Sequence, residues 1–135
     1  MSFNTNTIGY QVANDYLQSS FTLDREKFQS LLSKDVEMQH ITDDHNDRVI
    51  GRDKVMALYK KKFFDVTSDF DIQEVNIYSN GLQPKFKCKV SENKKEDNQN
   101  YRVEIHDQTT LHLVEEEGKW KIKKIIAEVS KKILS

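Results

Sequence analysis

The hydrophobic positions of this chain change period about halfway along it. In the first half they recur every three or four residues. Ile8, Val12, Ala13, Tyr16, Leu17 and Ser20 make one stripe, so residues 7–20 read as an amphipathic helix. Asp24 is a good N-cap, and Leu23 and Phe28 stand at the two positions of a hydrophobic staple, so a second helix is predicted over residues 24–33. Val36, Met38 and His40 then alternate with Glu37 and Gln39, the period of a half-buried strand. Gly51 breaks the chain, and Asp53 places negative charge in the first turn of a third helix over residues 53–64, with Val55, Leu58, Tyr59, Lys62 and Phe63 in its stripe.

After Val66 the period becomes two. Phe70 and Ile72 share one parity and Val75 and Ile77 the other, which a bulge near Gln73 reconciles. Asn80-Gly81 is a hairpin turn signal. Phe86, Cys88 and Val90 alternate with Lys85, Lys87 and Lys89. Residues 91–100 hold no apolar side chain and read as a long, mobile hairpin loop. The next strand puts Val103, Ile105, Asp107, Thr109, Leu111 and Leu113 on one face and Glu104, His106, Gln108, Thr110 and His112 on the other. Glu117-Gly118 is a turn. Trp120 and Ile122 follow on one parity, and Lys123-Lys124 shifts the register before Ile125, Ala127 and Val129. Three helices, a short strand among them, and a four-stranded antiparallel meander with one apolar face make an α+β architecture.

Composition narrows the picture. With 135 residues the chain suits one domain spanning 1–135, and 32% charged against 36% hydrophobic residues suit a packed core over a disordered chain. A net charge of -1 supplies no global field for nucleic acid or acidic membranes. No apolar run approaches the roughly 20 residues that span a bilayer. The start MSFNTNTIGY has neither the basic residues nor the apolar stretch of a secretory signal, and one cysteine, Cys88, allows no internal disulfide, so the expected location is cytoplasmic.

Three stretches, YLQSSFTLDREKFQSLLSKDVEM, GRDKVMALYKKKF and LHLVEEEGKWKIKKI, resemble the nuclear-transport-factor-2-like superfamily. Its members include ketosteroid isomerase, SnoaL-type polyketide cyclases and scytalone dehydratase. The resemblance implies a cone-shaped, cystatin-like roll: three N-terminal helices on a curved, mostly antiparallel sheet that encloses a cavity. It implies a homodimer, usually through the outer face of the sheet, here Lys85, Lys87 and Lys89 with Glu104, His106 and Gln108. It also implies a small-molecule ligand; no cofactor is expected, and charge and hydropathy argue against a nucleic-acid or membrane partner.

Carried over residue by residue, the isomerase pattern puts Tyr16 at the oxyanion-donor tyrosine and His40 at the general-base position. Thr109 falls where the isomerase has a second acid, so the full set is absent. An imidazole titrates near pH 6.5, which suits proton transfer at neutral pH. Asp107 shares parity with Thr109 and is a candidate to orient His40. Met38, Tyr59, Phe63, Phe86, Leu111 and Trp120 complete the expected lining with Thr109. His40, Asp43, Asp44, His45 and Asp47 crowd one loop, but their spacing matches neither a zinc site nor an EF-hand, and a solvated acidic loop with no metal is expected. Lys87 and Lys89 flank Cys88 and could depress its thiol, although its parity points it into the core. Three functions remain open: an isomerase, cyclase or dehydratase using His40; a carrier or sensor with the same pocket; and a protein-interaction module on the sheet's outer face.

Overall fold

The computed structural model describes residues 4–22, 24–59, 70–78 and 80–134. Its elements in chain order are α1 (Thr5–Phe21), α2 (Arg25–Ser30), β1 (Leu32–Ile41), β2 (Asn46–Ile50), α3 (Arg52–Tyr59), β3 (Phe70–Tyr78), β4 (Lys85–Glu96), β5 (Gln99–Glu116) and β6 (Lys119–Leu134). The strands form one sheet in the order β2-β1-β6-β5-β4-β3. Every neighbouring pair is antiparallel except β1 with β6, which run parallel. This is the expected α+β cone, with helices on one face of the sheet.

The N-terminal helix starts at Thr5, two residues before the predicted start at residue 7. The Asn4 side chain accepts from the backbone N–H groups of Asn6 (3.1 Å) and Thr7 (3.3 Å), which satisfies two of the donors a helix start leaves open. The predicted stripe is the buried face: Val12, Ala13, Tyr16, Leu17 and Ser20 are all buried. Gly9 is where α1 meets the β3–β4 connection, since a Cβ there would come 2.1 Å from the Gly81 carbonyl oxygen.

Asp24 caps α2, accepting from the Lys27 N–H at 3.2 Å, but the helix ends at Ser30, short of the predicted residue 33. The reason is the parallel ladder. The Leu31 carbonyl accepts from the Ile122 N–H at 2.8 Å, and Leu32 already pairs with Ile122, so the backbone leaves the helix to join β6. β1 therefore begins before the predicted Val36, with an irregularity between Leu32 and Glu37. Leu23, the staple partner, lies outside the described residues.

Two predicted loops are ladders instead. The stretch after His40 forms only a short turn, in which Thr42 N–H donates to the His45 carbonyl at 2.7 Å, and then returns as β2 with His40 opposite Asp47. Residues 91–100 are not one long loop: β4 and β5 stay paired to Glu96 opposite Gln99. Asp97 and Asn98, at φ 52° and 64°, close them in a two-residue turn. Short polar side chains tolerate this left-handed backbone, so a stretch without apolar residues can still hold a hairpin.

Both predicted register shifts are present. One lies between Ile72 and Glu74, which leaves Gln73 as the extra residue, and one sets His112 opposite Lys124 but Leu113 opposite Ile122, which leaves out Lys123. The Glu117-Gly118 turn closes β5 on β6 with positive φ at both residues. The Asn80-Gly81 signal is a wider reversal between Tyr78 and Lys85, in which Gln83 N–H donates to the Asn80 carbonyl at 3.0 Å. The third helix is described from Arg52 to Tyr59, and its predicted continuation over residues 60–64 lies outside the described residues.

The core lies between α1, α2, α3 and the inner face of the sheet. Phe28, Val36, Val55, Leu111, Ile122 and Ile125 are fully buried within it. A buried side chain of this size contributes roughly 1.5–3 kcal/mol by leaving water.

Candidate functional site

Strand register decides which predicted site residues meet. Phe86 opposes Thr109, Thr109 opposes Ala127, and Ala127 opposes His40, giving one cross-strand row on the inner face. The next row inward is Leu111, Ile125 and Met38. Helix α1 lays Tyr16 over the first row, its ring 5.5 Å from that of Phe86 and 5.0 Å from that of Phe28. Tyr16, Met38, His40, Phe86, Thr109 and Leu111 therefore share one region. All are buried except His40, which is half-buried. Trp120 is half-buried against the core toward the β5–β6 turn, opposite Glu115. The Tyr59 backbone ends α3, its side chain is not among the described ones, and Phe63 lies outside the described residues.

Asp107 lies one row toward the other end of the cone, opposite Cys88 and Val129 and half-buried. Its Oδ1 accepts a hydrogen bond from the Thr109 hydroxyl at 2.6 Å. Strand β6 stands between Asp107 and β1, the strand that carries His40. Cys88 responds to the burial and to the charge of Asp107: its thiol is pushed up to about 12, first by loss of water and then by that carboxylate. The flanking lysines, which could have depressed it, leave the strand on the opposite face.

The outer face carries ion pairs. Glu37 on β1 meets Arg48 of β2 and Lys124 of β6, the latter at 3.4 Å. Burial raises the Glu37 carboxyl, and the two cations outweigh it, leaving it below its ordinary value. Lys124 also opposes His112, whose imidazole is shifted down by burial and then by that ammonium. Glu104 is held low by its 2.6 Å contact to His106. At the helix end of the sheet, the buried Ser33 hydroxyl lies between Asp35 (2.8 Å) and Glu116 (2.6 Å), and Lys123 pairs with Asp35 and lowers its carboxyl.

An open depression of about 460 Å³ spans three successive rows across β4, β5, β6 and the end of β1. The first row is Lys87, Gln108, Glu128 and Ile41, the second Cys88, Asp107, Val129 and Thr42, and the third His106, Ser130 and Asp43. Side chains of the first and third rows point outward and ring the backbone of the second. Their inward neighbours His40, Ala127 and Thr109 are not part of the lining, so the depression belongs to the outer face. Of the candidate catalytic and pocket residues named from the sequence, Asp107 alone lines it; Asp43, Lys87, Cys88, His106 and Gln108, singled out there for other roles, line it as well. No sequence signal marks it, because Lys87, Gln108 and Glu128 become neighbours only once three strands are in register. No group of three or more His, Cys, Asp or Glu among the described residues is placed to hold a metal ion. No helix among them is long and apolar enough to cross a membrane.

Helices on a curved six-stranded sheet of this strand order define the nuclear-transport-factor-2-like class of α+β cones. The chain belongs to the SnoaL-like domain family, whose pattern matches residues 10–127. Its fold is similar to that of a protein assigned as a SnoaL-like polyketide cyclase from Shewanella denitrificans, at a TM-score of 0.66 and 13% identity over 90% of each chain. It is also similar to an LEH-like epoxide hydrolase of Mycobacterium tuberculosis, at a TM-score of 0.64 and 12% identity over 91% of this chain and 83% of that one. A ketosteroid isomerase-like protein from Erwinia carotovora gives a TM-score of 0.56 and 14% identity over 96% and 98%. No curated protein matches the chain. Identities this low establish the fold and no particular reaction.

Proposed function

We propose that the inner face of the cone binds a small, mostly apolar molecule and that His40 moves a proton on it. The reaction is of isomerase, cyclase or dehydratase type and uses no cofactor. One observation carries this reading: Ala127, a small residue, stands between His40 and Thr109 in a single cross-strand row. Two strand spacings separate His40 from Thr109, roughly 10 Å, and only a methyl group rises between them. A flat ligand over Ala127 would have a base on one flank and a hydroxyl on the other. Tyr16 is the candidate donor to a developing oxyanion from the helix wall. Asp107 fixes the Thr109 hydroxyl. Met38, Phe86 and Leu111 are the apolar floor and Trp120 a further wall. The assembly in this reading is a homodimer, which light scattering at micromolar concentration would show as twice the chain mass.

A specific observation favours a second reading, a carrier or sensor without chemistry. The Thr109 hydroxyl already donates to Asp107. A donor committed within the protein is a poor oxyanion stabiliser.

The test uses 2-tetralone, a flat bicyclic ketone with exchangeable hydrogens beside its carbonyl. Loss of those hydrogens in D2O is followed by NMR with and without protein. General-base catalysis predicts faster exchange that His40→Ala slows by about 10²–10⁴-fold with the ketone's Kd little changed. Binding without any acceleration by the wild type supports the carrier, and no binding at all removes both readings.

A further inference from the structure

We propose that Asp47 is a positioning residue for His40: its carboxylate takes the ring N–H that faces away from the ligand and balances the charge the imidazole acquires. This rests on the reading of His40 as the proton-transfer group. Register is the observation beneath it. β1 and β2 are antiparallel, and His40 stands directly opposite Asp47. Residues so placed leave the ladder on the same face, with Cβ atoms roughly 4.5–5.5 Å apart. The inner row of Phe86, Thr109, Ala127 and His40 therefore ends on a carboxylate at the edge of the sheet. His40 has the proposed ligand position over Ala127 on one flank and Asp47 on the other.

Other charges near β1 are committed or stand elsewhere. Glu37 leaves the strand on the outer face and meets Arg48 and Lys124. Arg48 is thereby drawn away from its neighbour Asp47, which is exposed and has no ion-pair partner among the described residues. Asp107 accepts from Thr109 and lies on β5, two strands from β1. On α1, Asp15 pairs with Lys27, and Tyr16 lies over the inner row. Helix α3 packs on β1 and β2. Its charged residues Arg52, Asp53 and Lys54 stand at its start, which the bond from Gly51 N–H to the Val36 carbonyl (2.8 Å) ties to Val36. Residues 55–59 of that helix carry no charge. His40 is four residues beyond Val36, roughly 13 Å along the strand. The turn after Ile41 adds Asp43, Asp44 and His45, all exposed.

The pairing strengthens as the reaction proceeds. When a C–H bond beside a ketone breaks, its electron pair enters the enolate and its proton lands on the ring nitrogen facing the ligand. Both ring nitrogens are then donors, and the one away from the ligand gives Asp47 a charge-assisted hydrogen bond. The proton returns to carbon as the enolate collapses, or exchanges with solvent first. A neutral imidazole gains little from so exposed a carboxylate, and an imidazolium gains more. An interaction made mainly in the charged state raises kcat and leaves KM little changed.

The test follows the His40 imidazole by NMR as pH is varied, in the wild type, Asp47→Ala, Asp47→Glu and Asp44→Ala. A facing carboxylate favours the charged ring, so Asp47→Ala should lower the titration midpoint of His40. Asp47→Glu should keep most of the wild-type midpoint, and Asp44→Ala, which removes a nearby charge of the same sign, should move it less than Asp47→Ala does. In the 2-tetralone exchange, Asp47→Ala should reduce kcat about tenfold with little change in KM. In a His40→Ala background the same substitution should have no further effect. The dispersion of the amide signals shows that each variant is folded. The proposal is overturned by an unmoved midpoint in Asp47→Ala, by an equal move in Asp44→Ala, or by the same loss of exchange with and without His40. If the wild type does not accelerate exchange, the general-base reading falls by itself, and the midpoint alone decides whether Asp47 holds the His40 ring.

Discussion

Thr109 donates its hydroxyl hydrogen to Asp107, two residues back on the same strand and the same face, at 2.6 Å. The bond gives a half-buried carboxylate a partner on an otherwise apolar surface. Thr109→Val keeps the shape and removes the donor, so it should destabilise the fold by about 1–3 kcal/mol, read from urea unfolding midpoints. In an Asp107→Leu background the same substitution should cost much less. Equal costs in both backgrounds would show that the bond contributes nothing.

Phe28 is fully buried and packs against Tyr16, which in turn packs against Phe86. Phe28→Ala would open a cavity beneath Tyr16 at the foot of the candidate site. The expected loss is about 3–5 kcal/mol in chemical denaturation. A loss below about 1 kcal/mol would mean that α2 collapses onto the gap.

Gly9 and Gly118 should respond differently to alanine. At Gly9 the new methyl would meet the Gly81 carbonyl oxygen, so α1 must back away from the β3–β4 connection. At Gly118 there is open space, and the obstacle is a φ of 78°. Gly118→Ala should cost about 1–2 kcal/mol from backbone strain alone. Gly9→Ala should cost more and should also shift NMR signals on both α1 and residues 80–84.

Lys123 holds the Asp35 carboxyl below its ordinary value, and Lys124 with Arg48 does the same for Glu37. A carboxylate whose folded-state value is depressed stabilises the fold above its unfolded-state value and loses that contribution as pH falls through the folded value. The stability difference between wild type and a Lys123→Met, Lys124→Met variant should therefore be present at pH 7 and shrink as pH falls below about 4. The Asp35 carboxylate is exposed while Glu37 is half-buried, so raising salt should shrink the Asp35 part most. A difference that holds constant down to pH 2 would refute this origin.

The Cys88 thiol, buried and pushed up to about 12, should be inert to iodoacetamide at pH 8 while the protein is folded. Labelling should follow the unfolding curve in urea. Fast labelling of the native protein would place this strand's inner face in solvent.

Much of the architecture could be read from periodicity because burial imposes it. The α1 stripe, the Asp24 cap, both bulges and the inward parity of Phe86, Cys88 and Thr109 are all local patterns. What escaped was set by partners distant in sequence. β2 and the far ends of β4 and β5 carry few apolar residues, and they are strands because a neighbour offers its ladder. The early end of α2 is likewise decided by Ile122, about ninety positions away. The inner row could be guessed from parity, but that Ala127 separates His40 from Thr109 required register. Parity put Lys87, His106 and Gln108 on the outer face, but that Glu128 and Asp43 join them round a depression required register.

The single parallel pairing, β1 against β6, has a consequence for biosynthesis. β6 occupies residues 119–134 and fills the middle of the sheet, between β1 and β5. Everything up to the β5–β6 turn can leave the ribosome with the apolar side of β1 still uncovered. The N-terminal helices would then have half a sheet to rest on, and closure would await the last strand. Contacts of such long sequence separation also slow folding in free solution. A nascent chain stalled before Lys119 should stay sensitive to protease, and chaperones that recognise exposed apolar surface should associate with it until the final strand emerges.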